Sequence, residues 1–405
     1  MNWLLAAGAV VAGGTVHRPG WLEVAGGRVW AVGSGVPARP VDTDLGDAVV
    51  VPGFVDMHVH GGGGGSFTAG TAAEAQAVIA AHRAHGTTTM VGSLVSADPD
   101  PLAAQVAVLA ELVESGDLAG VHLEGPWLSP TRSGAHAPGS LRAPEVPEVR
   151  RLLAAGRGAI RMVTIAPELP GAIDVIRLLT DCGVVVAIGH TEATYAQTKA
   201  AIAAGARVGT HLFNAMRPIH HHEPGPVVAL ADDPDVVVEL VLDGVHLHPA
   251  MYPQVRRWVS PSRIALVTDA MAAAGMPDGA YSLGELAVTV DSGVATLAGT
   301  ATIAGGTATA DRLFQQALRH RFGGEDDTLL AAVQQTSSVP AKALGLGPRD
   351  LGPGSPADLV VLSPEMAVTS VMADGQWVRA DSCSVPWSSM RLRTDAARAG
   401  SGPRR

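Results

Sequence analysis

Lysine is almost missing from this chain: 405 residues contain two, Lys199 and Lys342, against 15 histidines. Chemistry that depends on a lysine therefore has very few places to reside. Cysteine is as scarce. Cys182 and Cys383 lie far apart, and Cys182 sits in the apolar run CGVVVAI, so neither a disulfide framework nor a thiolate zinc site is available. A reducing cytoplasm is the simpler setting. Charge is thin too, 16% of residues with a net of −10, which argues against the basic footprint of a nucleic-acid or anionic-membrane binder. No apolar run reaches the ~18 residues of a membrane span.

What is present is apolar side chain. At 47% hydrophobic residues the chain can bury a core, which excludes a disordered protein. Its length allows several domains, or one large barrel with an appendage. The start, MNWLLAAGAVVAGG, is apolar enough to suggest a secretory signal, yet no basic residue precedes the run. The next stretch, WLEVAGGRVWAVG, alternates about Gly26-Gly27, so short strands joined by a tight turn are expected instead.

From residue 50 onward, apolar β-rich runs alternate with Ala-rich amphipathic stretches, the mark of βαβ units. The strand candidates are VVVPGFVDMHVH, TTTMVGSL, GVHLEGP, IRMVTIAPE, VVVAIGH, RVGTHLFN, VVVELVLDGVH and RIALVTDAM, and about eight strands close a barrel. Helices are expected near 71–85, 100–114, 171–181 and 193–204. After residue 352 the strand pattern returns in ADLVVLSP and SVMADGQWV. The expected fold is α/β: a TIM-like (β/α)8 barrel over 53–350, with a small β-sandwich domain made from 1–52 and 351–382 and a disordered tail at 383–405. The run Gly61 to Gly65 follows the first barrel strand directly. It reads either as a flexible loop or as backbone that must pass close to a ligand at the barrel mouth.

In such a barrel the active site is built at the C-terminal ends of the strands. His58 and His60 are two apart and share one side of a strand. Glu124 ends VHLEGP, His190 ends VVVAIGH, His211 ends RVGTHLF, His246 follows VLDGVH, and Asp269 ends IALVTDA. The separations, 64 residues from His60 to Glu124 and 66 from Glu124 to His190, each fit two βα units. Imidazoles and carboxylates converging without a thiolate suit zinc or another first-row divalent ion. One such histidine is most simply a core or surface residue; five at strand ends are not. His17, His82, His85 and His320 read as solvated, and His122 as a neighbour of the site that points the same way as Glu124.

PGFVDMHVHGGGG, HLEGPWLSPTRSGAHAP, GHTEAT, THLFNAM, DGVHLHP and TDAMAAAG occur in the order seen in N-acetylglucosamine-6-phosphate deacetylases of the amidohydrolase superfamily, which the chain resembles from about residue 20 to 380. The resemblance implies a homodimer that hydrolyses the acetamide of a small amino-sugar phosphate, and a divalent cofactor, zinc or else iron, manganese or cobalt, as one or two ions per subunit. It makes Glu124, His190 and His211 the main ligands and His58 and His60 the ligands of a second metal position. It makes Asp269 the catalytic carboxylate, base toward a metal-activated hydroxide and then acid toward the leaving amine. His136 and His246 become substrate contacts, and Asn214 with Ala215 the loop that meets the substrate's polar groups. Glu124 takes the bridging place that a carboxylated lysine fills elsewhere in the superfamily.

One position departs from the family. In MRPIHHHEPG the family usually carries an arginine before EPG, binding the sugar phosphate across the dimer interface; here His222 stands in its place. Histidine is only partly charged at neutral pH and lacks the arginine fork. Arg217, His220 or His221 would then have to compensate, or the substrate would be a related or unphosphorylated N-acetyl amino sugar. A different amidohydrolase reaction and a silent sugar-phosphate binder are the alternatives.

Overall fold

The computed structural model describes residues 2–378. Eight parallel strands form one sheet in chain order: Phe54–Val59, Thr87–Leu94, Gly120–Glu124, Ile160–Ile165, Val185–Ile188, Val208–Gly209, Val237–Leu240 and Ile264–Leu266. All eight fall within the runs read from the sequence. The ring closes where Val59 pairs in parallel with Ala270 and the Asp269 amide donates to the His58 carbonyl at 2.9 Å. Period two sorts the strand residues. Val163, Ile165, Val186, Ile188, Ile264 and Leu266 pack with the helices, while Met162, Ala187 and Ala265 join a separate inner cluster with Val339, Ala341 and Leu344.

The helices form for equally local reasons. Ala172–Asp181 buries Ala172, Val175, Ile176 and Leu179, one stripe at helical spacing. Tyr195–Ala204 starts on a capping box in which Thr194 and Gln197 satisfy each other's free amides. Ala72–Ala84 and Pro99–Glu114 complete the four helices expected from composition.

Both chain ends build a sandwich beside the barrel. A four-stranded sheet (Asn2–Ala7, Gly20–Ala25, Arg28–Ser34, Thr43–Asp44) faces a six-stranded one made of Ala9–Ala12, Thr15–His17, Val49–Pro52, Leu359–Leu362, Val368–Ala373 and Gln376–Trp377. Val49–Pro52 pairs antiparallel with Leu359–Leu362, and Leu5, Leu22, Val24, Val50, Leu359 and Met372 share the core between the sheets. The apolar start thus supplies the strands Asn2–Ala7 and Ala9–Ala12. Gly26 and Gly27, at φ 59° and 75°, make the turn that only glycine enters without strain. The expected tail at 383–405, and the part of 351–382 beyond residue 378, lie outside the described residues.

Three readings need correction. The run VVVPGFVDMHVH is two strands, the first in the sandwich and the second in the barrel, broken at Gly53, where a Cβ would stand 2.1 Å from Thr88 Oγ1. His82 is buried, with its Nε2 donating to the Gly61 carbonyl at 2.9 Å, because it lies on the inward stripe of its helix. Cys182 caps the helix Ala172–Asp181 and is exposed, the following strand starting only at Val185. An antiparallel sheet (Gly279–Leu283, Leu286–Asp291, Val294–Leu297) also interrupts the last βα connection, its apolar face of Leu283, Val288, Val290 and Ala295 packing on Val95 and Met271. Among the described residues no helix is long and apolar enough to cross a membrane.

Candidate active site

The glycine run shapes the barrel mouth by backbone packing. Gly61–Gly62 pairs with Gly65–Ser66, and the amides of Gly61, Gly63 and Gly64 donate to the carbonyls of Ala270, Ala274 and Ala272. A Cβ on Gly61 would meet the Gly65 carbonyl at 2.5 Å, so the close approach is to other backbone.

At this end of the barrel the strand-end side chains converge. His58, His60, Glu124 and Asp269 form one group and Glu124, His190 and His211 another, the donor atoms of each within 4.8 Å of one another and all these residues buried. Glu124 belongs to both: Oε1 lies 3.1 Å from His190 Nε2 and 2.9 Å from His211 Nε2, while Oε2 lies 3.1 Å from His60 Nε2. His190, His211 and Asp269 take positive φ values of 47°, 28° and 48° just past their strands. Such conformations are costly for residues other than glycine and gather where geometry is fixed for function.

Proton placement shows what the cluster can hold. His190 Nδ1 lies 2.8 Å from the Arg132 carbonyl, which only accepts, so Nδ1 carries hydrogen and Nε2 is the nitrogen turned inward to Glu124 Oε1. His58 repeats the pattern. Its Nδ1 donates to Glu239 Oε2 at 3.1 Å, and its Nε2 faces His60 Nε2 at 3.1 Å. Against burial, which lowers them, the facing carboxylates raise the His58 and His60 imidazoles above the ordinary value, and a divalent cation among these donors would take the place of those protons. The donor set of imidazole nitrogen and carboxylate oxygen fits zinc or another first-row ion. The outward N–H bonds to a carbonyl and a carboxylate are the usual supports of metal-bound histidine.

The flanking groups are set just as firmly. His136 Nδ1 accepts from the Ser96 amide at 3.2 Å, and burial pushes its pKa down to about 4; the neutral ring therefore carries its proton on Nε2, 3.2 Å from Glu124 Oε2. His246 Nδ1 is 2.7 Å from Asp243 Oδ2, leaving Nε2 facing Asp269 Oδ2 at 3.6 Å. Burial alone would raise the Asp269 carboxyl, but the facing His58 and His60 hold it well below the usual carboxylate range. A cavity of 330 Å³ opens on these groups, lined among others by His60, Glu124, Arg132, His136, Asn214 and Ala215. His222 does not join them. It is exposed on a turn with His220 and His221, outside the cavity lining of its own chain.

Three carboxylates, Glu239 and Asp56 buried and Asp243 partly so, are not singled out by the sequence pattern. Glu239 also accepts from the His211 amide at 3.1 Å. Asp56 accepts from Thr268 Oγ1 at 2.6 Å and, with burial the main cause, has its pKa raised to about 7. Asp243 holds His246. Each interrupts or ends an apolar strand run, a signal that was available in FVDMHV and VVVELVLDG. His122 spends both nitrogens on Ser93 and Thr164 and packs edge-on against His58, so it supports the site without reaching its centre.

The model of the amidohydrolase family matches residues 49–378. The chain belongs to the amidohydrolase family. Within it, the chain is 35% identical over 357 residues to the N-acetylglucosamine-6-phosphate deacetylase of Bos taurus, covering 83% of this chain and 84% of that one. It is 34% identical over 371 residues to the N-acetylgalactosamine-6-phosphate deacetylase of Escherichia coli O157:H7, covering 88% and 95%. Among solved structures it is 55% identical to the N-acetyl-D-glucosamine-6-phosphate deacetylase of Mycobacterium smegmatis, at a TM-score of 0.92 and over 94% of this chain and 100% of that one; that protein, as a mutant, is in complex with N-acetyl-D-glucosamine-6-phosphate.

Proposed function

We propose that the chain is a metal-dependent deacetylase that hydrolyses the acetamide of N-acetylglucosamine 6-phosphate to glucosamine 6-phosphate and acetate. The observation that carries the reading is Glu124, whose two oxygens face imidazole nitrogens from both histidine groups. The relatives' shared activity supports the substrate. Glu124, His190 and His211 would hold one ion, and His58 and His60 with Glu124 a second. A divalent ion there supplies an acidified water and a Lewis acid for the acetamide carbonyl.

The chain's own groups do the rest. Asp269, kept ionised, takes the proton of the attacking water and returns it to the nitrogen as the C–N bond breaks. His136 presents Nε2–H where negative charge grows on the carbonyl oxygen. His246, oriented by Asp243, and the Asn214–Ala215 loop meet the sugar's polar groups. Zinc, a cytoplasmic setting and a homodimer complete the proposal, with the exposed turn of His220 to His222 available to a second copy.

Acetate release from N-acetylglucosamine 6-phosphate by metal-loaded protein is the test, with Asp269→Asn as control. The variant is expected to lose about 100-fold or more in kcat. A folded wild-type protein no faster than the variant would refute the reading. The Escherichia coli relative motivates the galactosamine epimer as a second reading, which holds if that sugar phosphate has the higher kcat/KM.

A further inference from the structure

The proposed substrate carries a phosphate, and something in the cavity must meet it. The carboxylates Glu124 and Asp269 cannot; His60, His190 and His211 face Glu124, and His246, bound to Asp243, keeps Nε2 for the sugar but is not a permanent cation. Lysine does not help: Lys199 is paired with Asp233 at 2.6 Å and Lys342 is exposed, and neither lines the cavity. Among the lining residues one side chain is a permanent cation, Arg132.

Its setting is that of a held ligand group. The Arg132 backbone is fixed by an amide bond to the Ser129 carbonyl at 2.9 Å and by the bond its own carbonyl accepts from His190. The guanidinium is anchored through Nε alone, to Glu192. Glu192 is fixed in turn, its amide donating to Glu168 Oε1 at 2.7 Å and its Oε1 lying 3.1 Å from Arg217 Nε. Two guanidiniums and two carboxylates leave this network formally neutral. Its value to an anion is therefore directed donors and not net field. Among the described residues neither Nη group of Arg132 has a hydrogen-bond partner, and the side chain is 29% exposed.

We infer that Arg132 is the residue that makes this site specific for a phosphorylated sugar, its two Nη groups holding the 6-phosphate. The inference rests on the deacetylase reading above. Guanidinium forks bind phosphate bidentately and keep their charge at every working pH, which the His222 imidazole does not. The location agrees with the rest of the cavity. A Cβ on Gly134, two residues after Arg132, would lie 2.9 Å from the His190 ring and 3.8 Å from Ala215 Cβ, so this loop runs between the buried imidazoles and the Asn214–Ala215 loop. Arg132 thus stands on the wall of the same cavity as the imidazoles and the Asn214–Ala215 loop.

The test compares wild type with Arg132→Met and Arg132→Lys, all metal-loaded, on N-acetylglucosamine with and without the 6-phosphate. Arg132→Met is expected to raise KM for the phosphorylated sugar about tenfold or more, with a smaller change in kcat and none in KM for the neutral sugar; Arg132→Lys falls between. Calorimetry with inorganic phosphate is expected to show binding to wild type and its loss in Arg132→Met. If the Met variant does not fold, Arg132→Gln replaces it. An unchanged KM for the phosphorylated sugar, or an equal rise for both sugars, overturns the inference and leaves the deacetylase standing. If wild type turns over neither sugar, the deacetylase reading fails, and calorimetry still decides: phosphate binding that survives in the Met variant overturns the role of Arg132.

Discussion

Glu239 shows how much of this site is held from beneath. It touches no cavity, yet one of its oxygens receives both the His58 ring and the His211 amide, and it is fully buried. Glu239→Gln keeps the shape and puts a donor where only acceptors serve. The expected result is a metal affinity about 10- to 100-fold weaker, the usual cost of losing such a support. Competition with a chelating dye measures it; an affinity equal to wild type would show that Glu239 only fills space. The residues at strand ends were legible because polar side chains there interrupt an apolar pattern. Glu239 and Asp56 carry the same signal inside their runs, where the pattern is normally read as core. The role of Arg132 was not legible, since a surface arginine in a loop looks like any other until the cavity wall is drawn.

Elements were read more completely than residues. The eight barrel strands are buried on both faces and so stand out as apolar runs, and the helices show clean stripes. Leu179, 1% exposed on its helix, tests that packing: Leu179→Ala should cost about 2 to 5 kcal/mol in urea unfolding. A loss below about 0.5 kcal/mol would mean that the helix does not pack as described. The antiparallel insertion Gly279–Leu297 is not legible in the sequence because its strands alternate buried and exposed residues over short lengths, within what the βα pattern presents as a single connection.

Another element gives a pH prediction. Asp311 lies in the first turn of Ala310–Arg319; burial alone would raise its carboxyl, but hydrogen bonds from His85 and from Thr309 hold it below the ordinary value. A carboxyl depressed in the folded state stabilises above its unfolded pKa of ~3.9, and that stability is lost as pH falls through the folded value. Asp311→Asn should therefore lower stability by up to ~2 kcal/mol near neutrality, with the gap closing in acid. A gap that persists below pH ~3 would assign the effect to packing.

At the scale of the whole molecule, the fold joins two chain ends into a sandwich and spends the middle on a barrel whose open end gathers histidine and carboxylate. The scarcity of lysine acquires a meaning there. Glu124 belongs to both groups that could hold an ion, and among the described residues the one permanent cation lining the cavity is an arginine. The central claim is that hydrolysis of the acetamide needs an ion in that cluster. The most direct measurement is acetate release from N-acetylglucosamine 6-phosphate before chelation, after it, and after a divalent ion is returned to the same folded sample. The account predicts activity that vanishes with the ion and comes back with it. Equal acetate release with and without the ion, or none from folded and metal-loaded protein, would contradict it.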